Sequence, residues 1–278
     1  MTKKSTEINI EPKLKLEQSL IRWAGSKRKL LHKIIDLAPE NFKRYLEPFC
    51  GSASLFFQLS PTSAILSDVN SELINAWTHI RDDKYIRDKL IAIQHSKENY
   101  YHFRSLDISK LTKQERAIRF LYLNRFCFNG VYRTNRSGNF NVPIGNRTGG
   151  FPDEGLFKQS RKKLKNAELV CCDYKKIFRD ITSNDFIYID PPYAKSDKFT
   201  GEYGLGCFNY LEFPFLVSEL KRIDKMGAKF MLSYRACNEV QDILKPKFQV
   251  VHLKVHRHIA GFKDSWQKAQ EIIVRNYG

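Results

Sequence analysis

Asp190-Pro191-Pro192-Tyr193 follows directly on the apolar run Asp185 to Ile189, so a carboxylate and two prolines stand at the end of a strand-like segment. A doubled proline must end a strand, because proline has no amide hydrogen and restricts the residue before it. Asp190 and the Pro191 carbonyl then form a pair of hydrogen-bond acceptors on a stiff backbone. Such a pair suits an exocyclic amine conjugated to a purine ring, a poor nucleophile whose hydrogens must be held so that its lone pair faces an electrophile. The prolines aim the carbonyl before any substrate arrives, which is electrostatic preorganisation. Tyr193 adds a face on which an extruded base can stack. The competing reading is a turn that merely ends a strand.

A second constellation is Glu47-Pro48-Phe49-Cys50-Gly51-Ser52-Ala53-Ser54, an acidic residue on a strand followed by glycine at the turn into a helix. Open parallel sheets bind ligands at the carboxyl ends of their strands, and Gly51 permits close backbone approach there. A glycine in this place can also serve the turn alone. Asp68 ends the next strand, where a carboxylate accepts bonds from a ribose diol or caps the following helix.

These groups need a sheet to hold them. Arg44 to Phe49, Ser63 to Asp68, Ala167 to Asp173, Asp185 to Ile189 and Lys229 to Arg235 read as strands. Helical periods lie between them: Leu30, Leu31, Ile34, Ile35 and Leu37 after the turn-like Ala24-Gly25-Ser26, then Ser52 to Ser60, a helix from Asn70 with an asparagine cap, and Leu211 to Gly227. A short helix is expected after Arg235. Lys247 to Val255 and Gln270 to Tyr277 read as a β-hairpin closing one edge. Residues 83–164 break the alternation with helical runs at Ser96 to Asp107 and Thr112 to Phe126. The expected division is therefore 1–82, an amino-terminal arm and ligand-binding part; 83–164, an inserted helical subdomain; and 165–278, the catalytic part.

Charge says what the insert meets. Lys and Arg total 47 against 30 Asp and Glu, a formal charge of +17 that points to a polyanion. From Arg116 to Pro152 there are six arginines (116, 119, 125, 133, 136 and 147) and no acidic residue, among many Asn, Gly and aromatic residues. Such groups bond base edges, approach phosphates and stack on bases. No run approaches the roughly 18 apolar residues of a membrane span, and no apolar leader follows the first lysines, so a cytoplasmic protein is expected. The six cysteines show no metal-ligand spacing and read as reduced, mostly buried thiols; no metal is implied.

Taken in order, Arg22 to Lys27 (RWAGSK), EPFCGSAS, SDVN and DPPY resemble the Dam-type family of DNA adenine N6-methyltransferases, the class with its recognition insert between the cofactor and catalytic motifs. The resemblance spans nearly the whole chain. It implies a doubly wound, Rossmann-like S-adenosylmethionine-dependent methyltransferase α/β sheet with an inserted helical target-recognition domain. It also implies that Trp23, Lys27, Gly51, Asp68, Asp173 and Asp190 contact or frame S-adenosylmethionine, and that Asp190, Pro191, Pro192 and Tyr193 are catalytic. Asn124 to Gly145 resembles the hairpin with which GATC-type methylases read DNA. By that likeness Phe128 wedges into the duplex, Asn129 meets the partner left behind, and Val131, Arg133 and Pro143 meet base edges. Arg22, Arg125 and Asn135 join them as DNA contacts.

The expected reaction is direct methyl transfer to the N6 amine of an adenine flipped out of duplex DNA, in GATC or a GAT-containing site. The chain lacks the Pro-Cys dipeptide of cytosine-ring methylases, so no covalent intermediate is required. The implied partners are S-adenosylmethionine and double-stranded DNA, bound by a monomer in the cytoplasm or nucleoid of a bacterial, phage or archaeal host, with a cognate restriction endonuclease as a candidate companion. Methylation of RNA adenine or of the cytosine amine, and sequence-specific DNA binding with a vestigial methylase site, are the alternatives. The chain departs from the family pattern at Arg22, where many relatives carry a lysine, at Ser26 within AGSK, and at Tyr234-Arg235 after Leu232-Ser233.

Overall fold

The computed structural model describes residues 19–192, 210–236, 244, 247–255 and 269–278. Tyr193 and nearly all of the short helix expected after Arg235 lie outside them.

A seven-stranded sheet runs in the order β3-β2-β1-β4-β5-β7-β6. Its strands are β1 (Arg44–Glu47), β2 (Ala64–Asp68), β3 (Ala167–Cys171), β4 (Asp185–Ile189), β5 (Lys229–Arg235), β6 (Gln249–Val255) and β7 (Ala269–Arg275). Strands β1 to β5 pair in parallel, while β7 runs antiparallel to β5 and β6. The expected edge hairpin is present. Strand β1 has β2 on one side and β4 on the other, so the order of strands reverses there, and a crevice opens at the carboxyl ends of β1 and β4. Pairing of Arg235 with Glu271 brings the start of β7 to that same edge.

Strand β4 is buried throughout, because alternate residues enter different cores. Phe186 and Tyr188 join Tyr45, Phe56 and Trp77, whereas Ile187 and Ile189 join Leu46, Leu216 and Leu220. The helices flanking the sheet are α1 (Leu31–Leu37), α2 (Ser54–Leu59), α3 (Ser71–Asp82), α8 (Tyr174–Arg179) and α9 (Phe213–Lys225). Between α3 and β3 come α4 (Ile86–Ile91), α5 (Lys97–Ser105), α6 (Lys113–Phe126) and α7 (Glu154–Leu164). Helix α6 opens with a capping box in which Thr112 and Glu115 satisfy each other's backbone amides, at 3.3 and 2.8 Å. Its aromatic residues Phe120, Tyr122 and Phe126 continue the core that begins at Trp77 and Tyr45.

The acid-free run does not face outward throughout. Arg116 pairs with Glu72 of α3, and Arg119 is buried with its guanidinium donating to the carbonyls of Phe103 and Arg104 at 2.8 and 3.1 Å. Helix packing takes the first two arginines, and the remaining four lie at or beyond the end of α6. Of the four described cysteines, all free thiols as expected, Cys50 and Cys127 are buried, whereas Cys172 is half-buried and Cys171 exposed; Cys207 and Cys237 lie outside the described residues. No helix of the described residues is long and apolar enough to cross a membrane.

At the amino ends of the same strands, away from the crevice, Asp185 is 2% exposed and accepts from Arg44 Nε at 3.0 Å, Arg44 Nη2 at 2.7 Å and the Thr182 amide at 2.7 Å. This clamp joins the starts of β1 and β4. Removing it takes the carboxylate from the Arg44 guanidinium and the Thr182 amide and leaves a cavity at a buried site, so Asp185→Ala should lower the unfolding free energy in urea by about 3 kcal/mol. A loss below about 0.5 kcal/mol would mean that the clamp behaves as a surface pair.

Candidate active site

The crevice is a cleft with about 960 Å³ of empty space, part of it open to solvent, within the range of small-molecule sites. Trp23, Lys27, Gly51, Asp68, Asp173, Asp190, Pro191 and Pro192 all line it, although they are scattered over 170 positions of sequence. Parallel pairing explains the convergence. Glu47, Asp68 and Asp190 each stand at or just after the carboxyl end of a strand of one register.

At one wall, Lys27 Nζ donates to Asp190 Oδ1 at 2.6 Å and to the Gly25 carbonyl at 3.0 Å, and lies 3.6 Å from Glu271 Oε1. The Lys27 side chain is 7% exposed, so its ammonium is largely desolvated among oxygens from three parts of the chain, the turn at Gly25, the end of β4 and the start of β7. A charge-assisted bond of this kind fixes orientation. Asp190 is thus an aimed carboxylate. Glu271 was not foreseen; the lone acid in the strand run Gln270-Glu271-Ile272-Ile273-Val274 is the signal that could have found it.

A second wall is the turn after β1. Gly51 has φ +44°, and a Cβ there would meet Trp23 Cδ1 at 2.5 Å, so the indole lies directly on the glycine backbone. The Gly51 carbonyl accepts from Trp77 Nε1 at 3.0 Å, and its amide donates to Asp68 Oδ2 at 3.2 Å. Asp68 also accepts from the Asn70 amide at 3.0 Å through Oδ1. The cap of α3 is Asn70 itself, accepting from the Leu73 amide at 3.1 Å, which settles the alternative reading of Asp68. Asp173 accepts from the Lys175 amide at 2.8 Å as the cap of α8 while still lining the cleft.

Burial weighs on the carboxylates here. Glu47 is pushed well above its ordinary range by burial, and the Tyr45 hydroxyl, donating to its Oε2 at 2.9 Å, only partly offsets that. Asp68 is raised to about 6, again by burial, against the amides of Asn70, Gly51 and Val69 that favour the charged form. The cleft therefore favours neutral or cation-paired acids.

Trp23 also faces the insert. It stacks on Tyr132 with ring centroids 5.7 Å apart at 22°. Arg22 beside it is held by Asn124, whose Oδ1 accepts from the Arg22 amide at 2.8 Å and whose Nδ2 donates to the Arg22 carbonyl at 2.6 Å. The Arg22 guanidinium donates to the carbonyls of Arg125 and Cys127 at 3.1 and 3.3 Å, and Gly130 packs against it where a Cβ would meet its Nε at 2.7 Å. Arg22 thus closes the carboxyl end of α6. Arg125 donates to the Gly150 carbonyl, and burial, then Arg147 and Arg22, lowers its pKa to about 10.

Residues 127–144 form a loop closed by bridges between Cys127 and Ile144 and between Thr134 and Phe140. Phe128 is 48% exposed, and its amide donates to the Pro143 carbonyl at 2.9 Å, so these two predicted base contacts sit side by side. Asn129 is exposed with a left-handed backbone, φ +51°. Val131 is half-buried, and Arg133 is oriented by Asn141 Oδ1, which accepts from its Nε at 2.9 Å. The Asn135 side-chain oxygen accepts the amides of Ser137 and Asn139 at 3.0 and 2.9 Å, which commits it to shaping the tip of the loop.

The raised Asp68 makes a signed prediction. Its folded value, about 6, lies above the ordinary 3.8 of an aspartate, so the stability it confers is complete below the lower value and is lost as pH rises through the higher. Asp68 keeps some solvent contact, which limits the change to about 2 kcal/mol. Asp68→Asn should accordingly gain stability relative to the parent between pH 4 and 7 in urea titrations. A pH-independent difference would contradict the assignment.

A sequence model of the D12 class N6 adenine-specific DNA methyltransferases matches residues 23–259. A type II methyltransferase of Lactococcus lactis subsp. cremoris is 33% identical, over 98% of this chain and 97% of its own length. The DNA adenine methylase of Haemophilus influenzae is 36% identical over 71% of this chain and 73% of its own, and that of Escherichia coli 34% over 65% and 66%. A match that runs from the Trp23 wall through the insert, the Asp190 strand end and β6 takes in every part of the cleft, and on it the chain belongs to the D12 class of N6 adenine-specific DNA methyltransferases.

Proposed function

We propose that the enzyme transfers the methyl group of S-adenosylmethionine to the N6 amine of an adenine flipped out of duplex DNA, in GATC or a GAT-containing site. The observation that carries the reading is Asp190, aimed by Lys27 at the mouth of the cleft and followed by the rigid Pro191 and Pro192. The cleft suits the cofactor in two respects. Gly51 lacks the Cβ that its tight contact with Trp23 would refuse, leaving backbone at the wall, and the half-buried Asp68 is an acceptor suited to a ribose diol. Trp23, Lys27, Gly51, Asp68 and Asp173 are the residues that would hold it. When bound, S-adenosylmethionine supplies an electrophilic methyl on a sulfonium sulfur.

The protein's own contribution is orientation and charge. Asp190 and the Pro191 carbonyl accept the two amine hydrogens, which leaves the nitrogen lone pair directed at the methyl. Positive charge that develops on the nitrogen is met by the Asp190 carboxylate, which receives the proton the amine must lose. Lys27 keeps that carboxylate ionised and in place beforehand, so little reorganisation accompanies the reaction. Phe128 fills the gap left by the extruded base, and Asn129 meets its unpaired partner. Val131 and Pro143 suit a thymine methyl, Arg133 a guanine edge, while Arg22 and Arg125 hold the loop and bring positive charge to the phosphates. A monomer acting on cytoplasmic DNA, with or without a companion restriction endonuclease, accords with this reading.

Asp190→Ala should reduce the single-turnover methylation rate by about 100-fold or more while DNA affinity changes little, because phosphate contacts dominate binding. Near-parental transfer would remove Asp190 from the chemistry. Arg133→Ala should cost about 1–3 kcal/mol on the cognate duplex and relax discrimination at one base pair only. Equal loss over duplexes varied at every position around the adenine would make Arg133 a phosphate contact instead.

A further inference from the structure

We propose that Glu271 is a positioning residue for methyl transfer, anchoring the Lys27 ammonium from β7 so that one shared cation aims Asp190. The inference rests on the function proposed above. Glu271 is 3% exposed in a strand whose next three residues, Ile272, Ile273 and Val274, are fully buried. A carboxylate there has no packing purpose, since an apolar residue would fill the space without desolvating a charge. The Lys27 ammonium stands 3.6 Å away, and that ammonium is the group bonded to Asp190.

The Lys27 ammonium donates to Gly25 O and Asp190 Oδ1, and Glu271 Oε1 stands beyond hydrogen-bond length at 3.6 Å as a second carboxylate paired with the same charge. The arrangement is a tripod rather than a simple pair. Lys27 stands 2.6 Å from Asp190 Oδ1, and with Asp190 as its one carboxylate its charge would fall wholly there and weaken Asp190 as an acceptor for the amine. Glu271 draws the cation from a second strand and leaves Asp190 ionised yet incompletely neutralised. Burial lifts the Glu271 pKa above its ordinary range; Lys27 opposes that lift and Asp190 adds to it, so the three groups titrate as a unit.

The other titratable groups around the tripod, among the described residues, are Glu47 and Tyr45 from β1, Tyr188 from β4 and Asp68 from β2. Arg235 of β5 and Leu253 of β6 are paired with Glu271 across the sheet. Of these, Lys27 and Asp190 are the charges that act directly on Glu271.

Two readouts test the proposal. In protein labelled with carboxyl-13C glutamate, and assigned through Glu271→Gln, the Glu271 midpoint should rise by about one pH unit in Lys27→Met and fall in Asp190→Asn. In single-turnover methylation, Glu271→Gln should lower the rate by about tenfold, the scale at which outer partners of a reacting group act, and move the acid limb of the pH profile to lower pH. DNA affinity and melting temperature should stay near parental, and Glu271→Asp should recover part of the rate. In a Lys27→Met background, Glu271→Gln should lower the rate by much less than tenfold, because the cation through which Glu271 positions Asp190 is gone. A Glu271 midpoint indifferent to Lys27→Met would overturn the proposal, as would an unchanged pH profile in Glu271→Gln. If Glu271→Gln does not fold, the response of the Glu271 midpoint, located through Glu271→Asp, still decides. A parental enzyme that methylates no adenine would defeat the proposed function, while the 13C titration would still test the tripod.

Discussion

The Lys27 ammonium lies almost out of contact with water, bonded to the Gly25 carbonyl and Asp190 and close to Glu271. A cation so placed is stable only if its partners remain ionised and near, and those partners come from three separate parts of the chain: the amino-terminal turn, the end of β4 and the start of β7. Satisfying this one charge therefore requires the sheet to be assembled, with its antiparallel edge closed. It also fixes the segment that carries Arg22 and Trp23, because only a few residues separate them from Lys27.

That segment is the seam of the molecule. Trp23 rests on the Gly51 backbone on one side and on Tyr132 on the other, so the turn after β1 and the loop of residues 127–144 share one indole. The Asn124 side chain accepts from the Arg22 amide and donates to the Arg22 carbonyl, which locks the seam to the end of α6. The loop bearing Phe128 and Arg133 begins there. A change in either pocket that displaced Trp23 would be felt in the other, since packed aromatic contacts do not deform continuously.

Much of this was legible in the sequence because it depends on local rules. The strand, glycine turn and helix from Arg44 to Leu59 follow from apolar run, Gly51 and period, and DPPY ends a strand because proline leaves no alternative. The short helices α4 and α8, six residues each, hold too few turns for a period to show. Arg116 and Arg119 were read as part of an outward basic surface, but charge composition carries no direction, and their partners on α3 and α5 are contacts distant in sequence. Glu271 escaped for the same reason: its meaning depends on a lysine 244 positions away. The carbonyls of Arg125 and Cys127 that orient Arg22 are presented only by the folded end of α6, so no local pattern around Arg22 marks them.

The central claim is that this cleft brings a sulfonium methyl and an adenine amine together against Asp190. Incubating the purified protein with duplex DNA and S-adenosylmethionine carrying a trideuterated methyl group, then digesting the DNA to nucleosides for mass analysis, tests it most directly. The account predicts trideuterated N6-methyladenine as the labelled nucleoside, dependent on the duplex containing a GAT-bearing site. Label on cytosine, or none in any nucleoside despite intact DNA binding, would contradict it.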